Sequence, residues 1–172
     1  MLSLRYPPFD WRSQRVLLTG GAGGIGQALT AELVRRGARL AIAGRDPARV
    51  AAAAEPFGGQ VVPLVADLAA PDAAARLVAD ALPILRRTVE TGGTAAIVTV
   101  TSGLALVPKR SAPVYCASKA ALRSLTIALR DQLAVGAPAI RVHEAILPLA
   151  DTPMTAGRGR RKLSPAHAAQ AI

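Results

Sequence analysis

The stretch Thr19-Gly20-Gly21-Ala22-Gly23-Gly24-Ile25-Gly26 decides how the rest of the chain is read. The β-branched and apolar run Val16–Thr19 precedes it. Ile25, Leu29, Leu33 and Arg36 follow at three-to-four spacing until Gly37 stops the pattern. A strand therefore runs through a glycine turn into a helix over Ile25–Arg36. Glycines let the backbone turn sharply, and the helix N-terminus then offers free N–H groups and a positive dipole end to an anion. Gly21, Gly23 and Gly26 meet the GxGxxG spacing, a weak signal in a chain this rich in alanine and glycine. The plainer alternative is a tight turn that binds nothing. In its flanking context the turn, with Gly20, Gly24, Ile25 and Gly26 in it, is read as a candidate pyrophosphate site.

Outward from the turn, short β-branched or apolar runs alternate with longer helical patterns, the signature of βαβ units and a parallel sheet. Further strands are expected at Arg39–Ala43, Val61–Val65, Ala95–Val100 and Ile140–Leu147. Further helices are expected at Pro47–Glu55, Ala73–Glu90, Val114–Leu133 and near Pro165–Ala171. A kink is expected at Pro83. The apolar run Ala95–Val100 suits a strand buried on both faces. Within Val114–Leu133, residues Ala117, Ala121, Leu125 and Leu129 form one apolar stripe. The predicted class is α/β: a Rossmann-like, doubly wound parallel sheet of about five strands in a single domain over residues 1–172.

At 172 residues, 51% apolar and 19% charged, the chain has the composition of a globular domain with a core of its own. No window of about eighteen residues is free of both charge and proline, which excludes a membrane-spanning helix. The start, MLSLRYPPFDWRSQRVLL, has no apolar run of signal-peptide length before its prolines and Asp10. The single cysteine, Cys116, excludes an internal disulfide framework and fits a reducing, cytoplasmic location. It reads as a small buried helix residue rather than a nucleophile. A net charge of +10 suits nucleic acid, a membrane surface or an anionic cofactor. Outside Arg158–Lys162 the cations are scattered, and 3% aromatics are too few for stacking on single strands. Neither nucleic acid nor a membrane is therefore an expected partner, and no metal site is expected.

Dinucleotide sites hold an acidic residue at the end of the second strand, on the adenosine ribose. Here Gly44 stands in that place and Arg45 follows it. A guanidinium there suits a 2′-phosphate through charge-assisted bonds, which favours NADP over NAD. The plainer reading of Arg45 is a solvated loop arginine beside Asp46.

Tyr115 and Lys119 are four residues apart on a predicted helix and project from one face. An ammonium beside a phenol stabilises the phenolate, so such a tyrosine can exchange protons at neutral pH. Ser102 lies just past the strand Ala95–Val100, at the C-terminal edge where α/β ligands bind. Its hydroxyl can hold a carbonyl oxygen; alone, it would read as a turn or cap serine. A serine hydrolase is the poorer reading, because neither His143 nor His167 stands in a recognisable triad context.

On these residues the chain resembles the short-chain dehydrogenase/reductase family. Thr19–Gly26 matches the family's TGxxxGxG turn and Tyr115–Lys119 its YxxxK, with Ser102 at the usual interval of thirteen residues before the tyrosine. Asp67-Leu68 resembles the acidic-hydrophobic pair that contacts adenine, and Thr152 the threonine that meets the nicotinamide carboxamide. The resemblance implies reversible hydride transfer between a nicotinamide cofactor and a small carbonyl or alcohol. It implies that Tyr115 exchanges the hydroxyl proton and Ser102 holds the carbonyl oxygen. Lys119 would lower the tyrosine pKa and bind the nicotinamide ribose. It also implies homo-oligomers paired through the 114–133 helix.

The pattern departs from the family in three places. The family's Asn-Asn-Ala-Gly strand and the long helix with its catalytic asparagine belong between Asp67 and Ala95. Only Ala73–Glu90 fills that interval, resembling the start of one family helix joined to the end of another, and the chain contains no asparagine. Leu147-Pro148 stands where the family has Pro-Gly, and Ile172 falls short of the family's last helix and strand. Two sheets are open: Ala95–Val100 moves beside the first strand, or a gap leaves unpaired edges. Two functions are open as well: an NADP-preferring oxidoreductase impaired by an internal deletion, or a non-catalytic nucleotide-binding module.

Overall fold

The strands and helices form where local patterning places them. In the computed structural model, residues 10–67, 70–92, 95–159 and 161–172 are described. The order is β1 (Arg15–Thr19), α1 (Gly24–Arg35), β2 (Arg39–Gly44), α2 (Pro47–Ala54), β3 (Val61–Val65), α3 (Ala73–Glu90), β4 (Ala95–Ser102), α4 (Pro113–Gly136), β5 (Ile140–Leu147) and α5 (Pro165–Gln170). Helix α1 ends where Gly37, at φ +96°, donates to Val34 O (2.8 Å) and Ala38 donates to Leu33 O (3.0 Å). That double closure satisfies carbonyls the helix leaves open. Helix α2 opens on Pro47 behind Asp46, whose Oδ1 accepts from Arg49 N at 3.1 Å. Helix α3 is continuous through Pro83. Among the described residues, no helix is long and apolar enough to cross a membrane.

All strand pairs are parallel, as the alternating pattern requires. The five strands do not make one sheet, however. β1, β2 and β3 form a three-stranded sheet in that order, and β4 and β5 form a separate pair. Among the described residues β4 pairs with β5 alone, so the open question is answered in favour of the gap. The physical reason lies in the interval before it: one helix, α3, leads into β4 and packs on β4 and β5. No strand is described between β1 and β4 to join the two ladders.

The first sheet buries one face. Leu40, Ile42 and Val61 pack there with Leu29 and Leu33 of α1, Val50 and Ala54 of α2, and Ala169 of α5. Burying each large aliphatic side chain stabilises by about 1.5–3 kcal/mol. The opposite face stays open: Leu17 and Leu64 are exposed and Val62 is 51% exposed. The second sheet has a smaller core of Ala95, Ile140 and Val142 with Leu133 of α4.

Two expectations about faces are corrected. β4 is not buried on both sides, since Val98 is exposed in a two-stranded sheet. Of the apolar stripe of α4, only Leu129 packs on the core. Ala117 and Ala121 are exposed and Leu125 is 60% exposed, while Cys116, Thr126 and Leu133 are buried. No second helix covers the stripe among the described residues, so α4 turns its Cys116–Thr126–Leu133 face to the strands.

Candidate active site

The glycine turn is shaped by close backbone approach. Gly20 adopts φ +70°, and its N–H donates to Ala43 O at 2.8 Å, tying the turn to β2. A β-carbon at Gly26 would collide with the Gly20 carbonyl and stand 2.8 Å from Gly21 Cα. One at Gly24 would stand 2.9 Å from Thr152 Cγ2. Gly23 is the N-cap and no side chain caps α1, so the leading N–H groups face the turn without a protein oxygen from a capping residue. Ile25 is partly buried in the first helical turn.

Thr152 comes from the segment after β5. That segment is closed at its base: Asp151 N donates to Leu163 O and Leu163 N to Leu149 O, both at 2.8 Å. Lys162 pairs with Asp151 at 2.9 Å. Within it, Thr152 N donates to Thr155 Oγ1 (3.0 Å), and Thr155 Oγ1 donates to Ala150 O (2.6 Å). These bonds hold Thr152 against the turn. Arg160, in the middle of the basic run, lies outside the described residues.

At the end of β2 a side chain on Gly44 would stand 2.7 Å from Val50 Cγ2. The packing of α2 on the sheet thus leaves no room for a carboxylate there. Arg45 follows, exposed, and makes no ion pair among the described residues, because Asp46 faces Arg49 N instead. Asp67 lies two residues past β3 and is exposed; its expected partner Leu68 lies outside the described residues.

Ser102, Tyr115 and Lys119 belong to the other sheet and the helix packed on it. Ser102 is the last residue of β4, and its Oγ accepts from Leu104 N at 3.2 Å. Its own O–H remains to donate. Tyr115 lies in the first turn of α4, 39% exposed, and Lys119 one turn further on. The Lys119 ammonium donates to Val100 O at 3.0 Å and lies 5.9 Å from the Tyr115 ring centroid. Burial pushes its pKa below the ordinary lysine value. Cys116 is buried, and its Sγ accepts from Lys109 N at 3.2 Å, which fixes the loop after β4 onto α4. It is a packing residue, as read.

The sequence reading missed a set of polar ties beneath these residues. Arg123 bonds Glu144 at 2.7 Å, Thr126 bonds Thr99 at 2.8 Å, and Arg130 Nε donates to Val142 O at 3.1 Å. With Lys119 they recur at steps of four, three and four, one helical face. That spacing of charged and hydroxyl residues is legible in the sequence beside the apolar stripe.

A glycine turn at a helix N-terminus and Ser102, Tyr115 and Lys119 thus lie on one α/β frame. The chain belongs to the short chain dehydrogenase family, whose sequence model matches residues 14–90 and 81–162. The two matches overlap inside α3, where the sequence reads as two family helices joined. An uncharacterized oxidoreductase, DltE, of Bacillus subtilis (strain 168) is 52% identical over 58 residues, 34% of this chain and 22% of that protein. The chain thus matches about a fifth of that relative's length. Among solved structures, the 3-ketoacyl-(acyl-carrier-protein) reductase from Brucella melitensis complexed with NADH superposes with a TM-score of 0.78 at 21% identity, covering 92% of this chain and 88% of that one. A short chain dehydrogenase from Burkholderia cenocepacia J2315 in complex with NADP gives 0.76 at 22%, covering 94% and 83%. At these identities the likeness establishes the fold.

Proposed function

We propose that this chain is an NADP-preferring short-chain oxidoreductase that transfers a hydride between a nicotinamide cofactor and a small carbonyl or alcohol. The observation that carries this reading is the Lys119 ammonium, bonded to Val100 O beside the Tyr115 ring at the strand edge ending in Ser102. The complexes of structural neighbours with NADH and with NADP are in keeping with it.

The residues present fit a dinucleotide. A β-carbon would fill the cradle at Gly24 or Gly26, and the uncapped α1 N-terminus suits a pyrophosphate. Gly20, Gly24, Ile25 and Gly26 would hold that part, Asp67 the adenine end, and Thr152 the carboxamide end. Lys119 would hold the nicotinamide ribose. Arg45, beside a position where packing disfavours an acid, supports a 2′-phosphate. When bound, the nicotinamide supplies or accepts the hydride. In the reducing direction, Ser102 Oγ–H holds the carbonyl oxygen and Tyr115 gives that oxygen its hydroxyl proton. Lys119 favours the resulting phenolate by its positive charge.

The separation of β1–β2–β3 from β4–β5 favours a second reading, a non-catalytic nucleotide-binding module, because no described strand joins the sheet that carries the glycine turn to the sheet that carries Ser102. We further take the chain as one domain over residues 1–172, cytoplasmic, and paired as a homo-oligomer through the 114–133 helix, whose exposed Leu125 and Ile127 suit such a contact. The test is a titration with NADPH and NADH by cofactor fluorescence, followed by turnover with a panel of aldehydes and ketones. Binding with turnover supports the oxidoreductase, binding without turnover the module, and no binding removes both.

A further inference from the structure

Below the Ser102 edge, Thr101, Glu144 and Arg123 form a polar chain that the proposed chemistry does not use. Glu144 lies in β5 opposite Thr99 of β4. Its Oε1 accepts from Thr101 Oγ1 at 2.6 Å and its Oε2 from Arg123 Nη1 at 2.7 Å. Thr101 is 3% exposed and the Glu144 side chain 10% exposed. One carboxylate thus joins β4, β5 and α4 with both oxygens engaged. Thr101 immediately precedes Ser102, and Arg123 lies one helical turn beyond Lys119.

Apolar packing at this end of α4 is limited to Cys116 against the loop after β4, while Leu129 packs on the second core further along. The buried leucine of α4, Leu133, lies near the far end of the helix, and Leu125 is exposed. Directional bonds to Val100 O, Glu144 and Thr99 hold the nearer part. Apolar contacts tolerate sliding, whereas a carboxylate bonded on both oxygens admits one register.

We propose that Glu144, acting through Arg123 and Thr101, is a positioning residue that sets the height of α4 over β4 and so places Tyr115 and Lys119 against Ser102. This rests on the oxidoreductase reading. A displacement of about 1 Å at such a site costs on the order of 10²-fold in rate.

The test uses Thr101→Val, which keeps volume and charge, together with Arg123→Met and its conservative counterpart Arg123→Lys. Turnover and NADPH affinity are measured separately. The side-chain NMR titration of Lys119 is recorded in each variant, and the chain has only Lys109, Lys119 and Lys162 to assign. Thr101→Val is expected to lower kcat about tenfold, and Arg123→Met about a hundredfold, with a clearly smaller loss of NADPH affinity, because Lys119 would also hold the nicotinamide ribose. Arg123→Lys recovers part of the loss. In Thr101→Val, Lys119 titrates closer to an ordinary lysine, because its ammonium leaves Val100 O for water. Unchanged kcat and an unchanged Lys119 titration in folded variants overturn the proposal. So does a loss of kcat matched by an equal loss of NADPH affinity. If the parent chain shows no turnover, the oxidoreductase reading fails and the Lys119 titration decides the clasp: a shift in Thr101→Val upholds it, no shift overturns it. If Arg123→Met does not fold, Thr101→Val decides alone.

Discussion

Gly24 and Thr152 meet with no room for a side chain between them: a β-carbon on Gly24 would stand 2.9 Å from the threonine methyl. The two residues belong to segments that follow different sheets, so this contact joins the glycine turn to the loop after β5. Gly24→Ala should therefore weaken NADPH binding and cost about 1–3 kcal/mol of stability, the usual range for overpacking. Thr152→Ser removes the offending methyl and should recover part of both losses. Gly26→Ala, which meets backbone rather than side chain, should abolish binding with no such rescue. Cofactor fluorescence and thermal melts read both effects.

On the proposed mechanism, Tyr115→Phe removes the proton donor and little else. Reduction should fall by about 10²–10⁴-fold while NADPH affinity stays nearly unchanged. A variant with ordinary turnover would take Tyr115 out of the mechanism.

If Arg45 meets a 2′-phosphate as proposed, the parent chain should prefer NADPH to NADH, and Arg45→Ala should erase that preference and leave NADH affinity as it was. A charge-assisted hydrogen bond to phosphate is worth about 1.5–3 kcal/mol, so the expected loss in NADPH affinity is about tenfold or more. Equal losses for both cofactors would assign Arg45 to general structure instead.

Glu32 gives a pH signature remote from the site. It bonds Arg35 and Arg36, each at 2.7 Å, and its carboxyl is pulled from 4.5 to about 2, first by the Arg35 hydrogen bond and then by that of Arg36. Its folded pKa lies below the unfolded one, so its stabilisation is present above about 4.5 and is lost as pH falls toward 2. Melts of the parent and Glu32→Gln should differ at neutral pH and converge across that window. The gap should also shrink in high salt, since the pair lies at the surface.

The open face of the first sheet should make the chain prone to self-association. Val62→Thr keeps the β-branched shape and makes the 51%-exposed site polar. It should reduce light scattering on concentration and shift stability by less than about 1 kcal/mol. Unaltered scattering would place the sticky surface elsewhere, with the α4 stripe as the next candidate.

What the residues determine alone is local. The glycine turn, the capped start of α2, the stop at Gly37 and the bounds of Val61–Val65 and Ala73–Glu90 all follow from short-range sterics and from periods of two and 3.6. The four-residue step from Tyr115 to Lys119 places both on one face for the same reason. What only the tertiary structure decided is non-local. The division into β1–β2–β3 and β4–β5 depends on which strand edges find partners, and no period encodes that choice. The inward face of α4 was likewise settled by its neighbours. With no helix described over Ala117, Ala121 and Leu125, the helix turns Cys116 and Thr126 inward. Glu144 reads in sequence as one charge in an apolar strand. It becomes a clasp only when β4 supplies Thr101 and α4 supplies Arg123 to its two oxygens, because a carboxylate can be buried only where such donors converge on it.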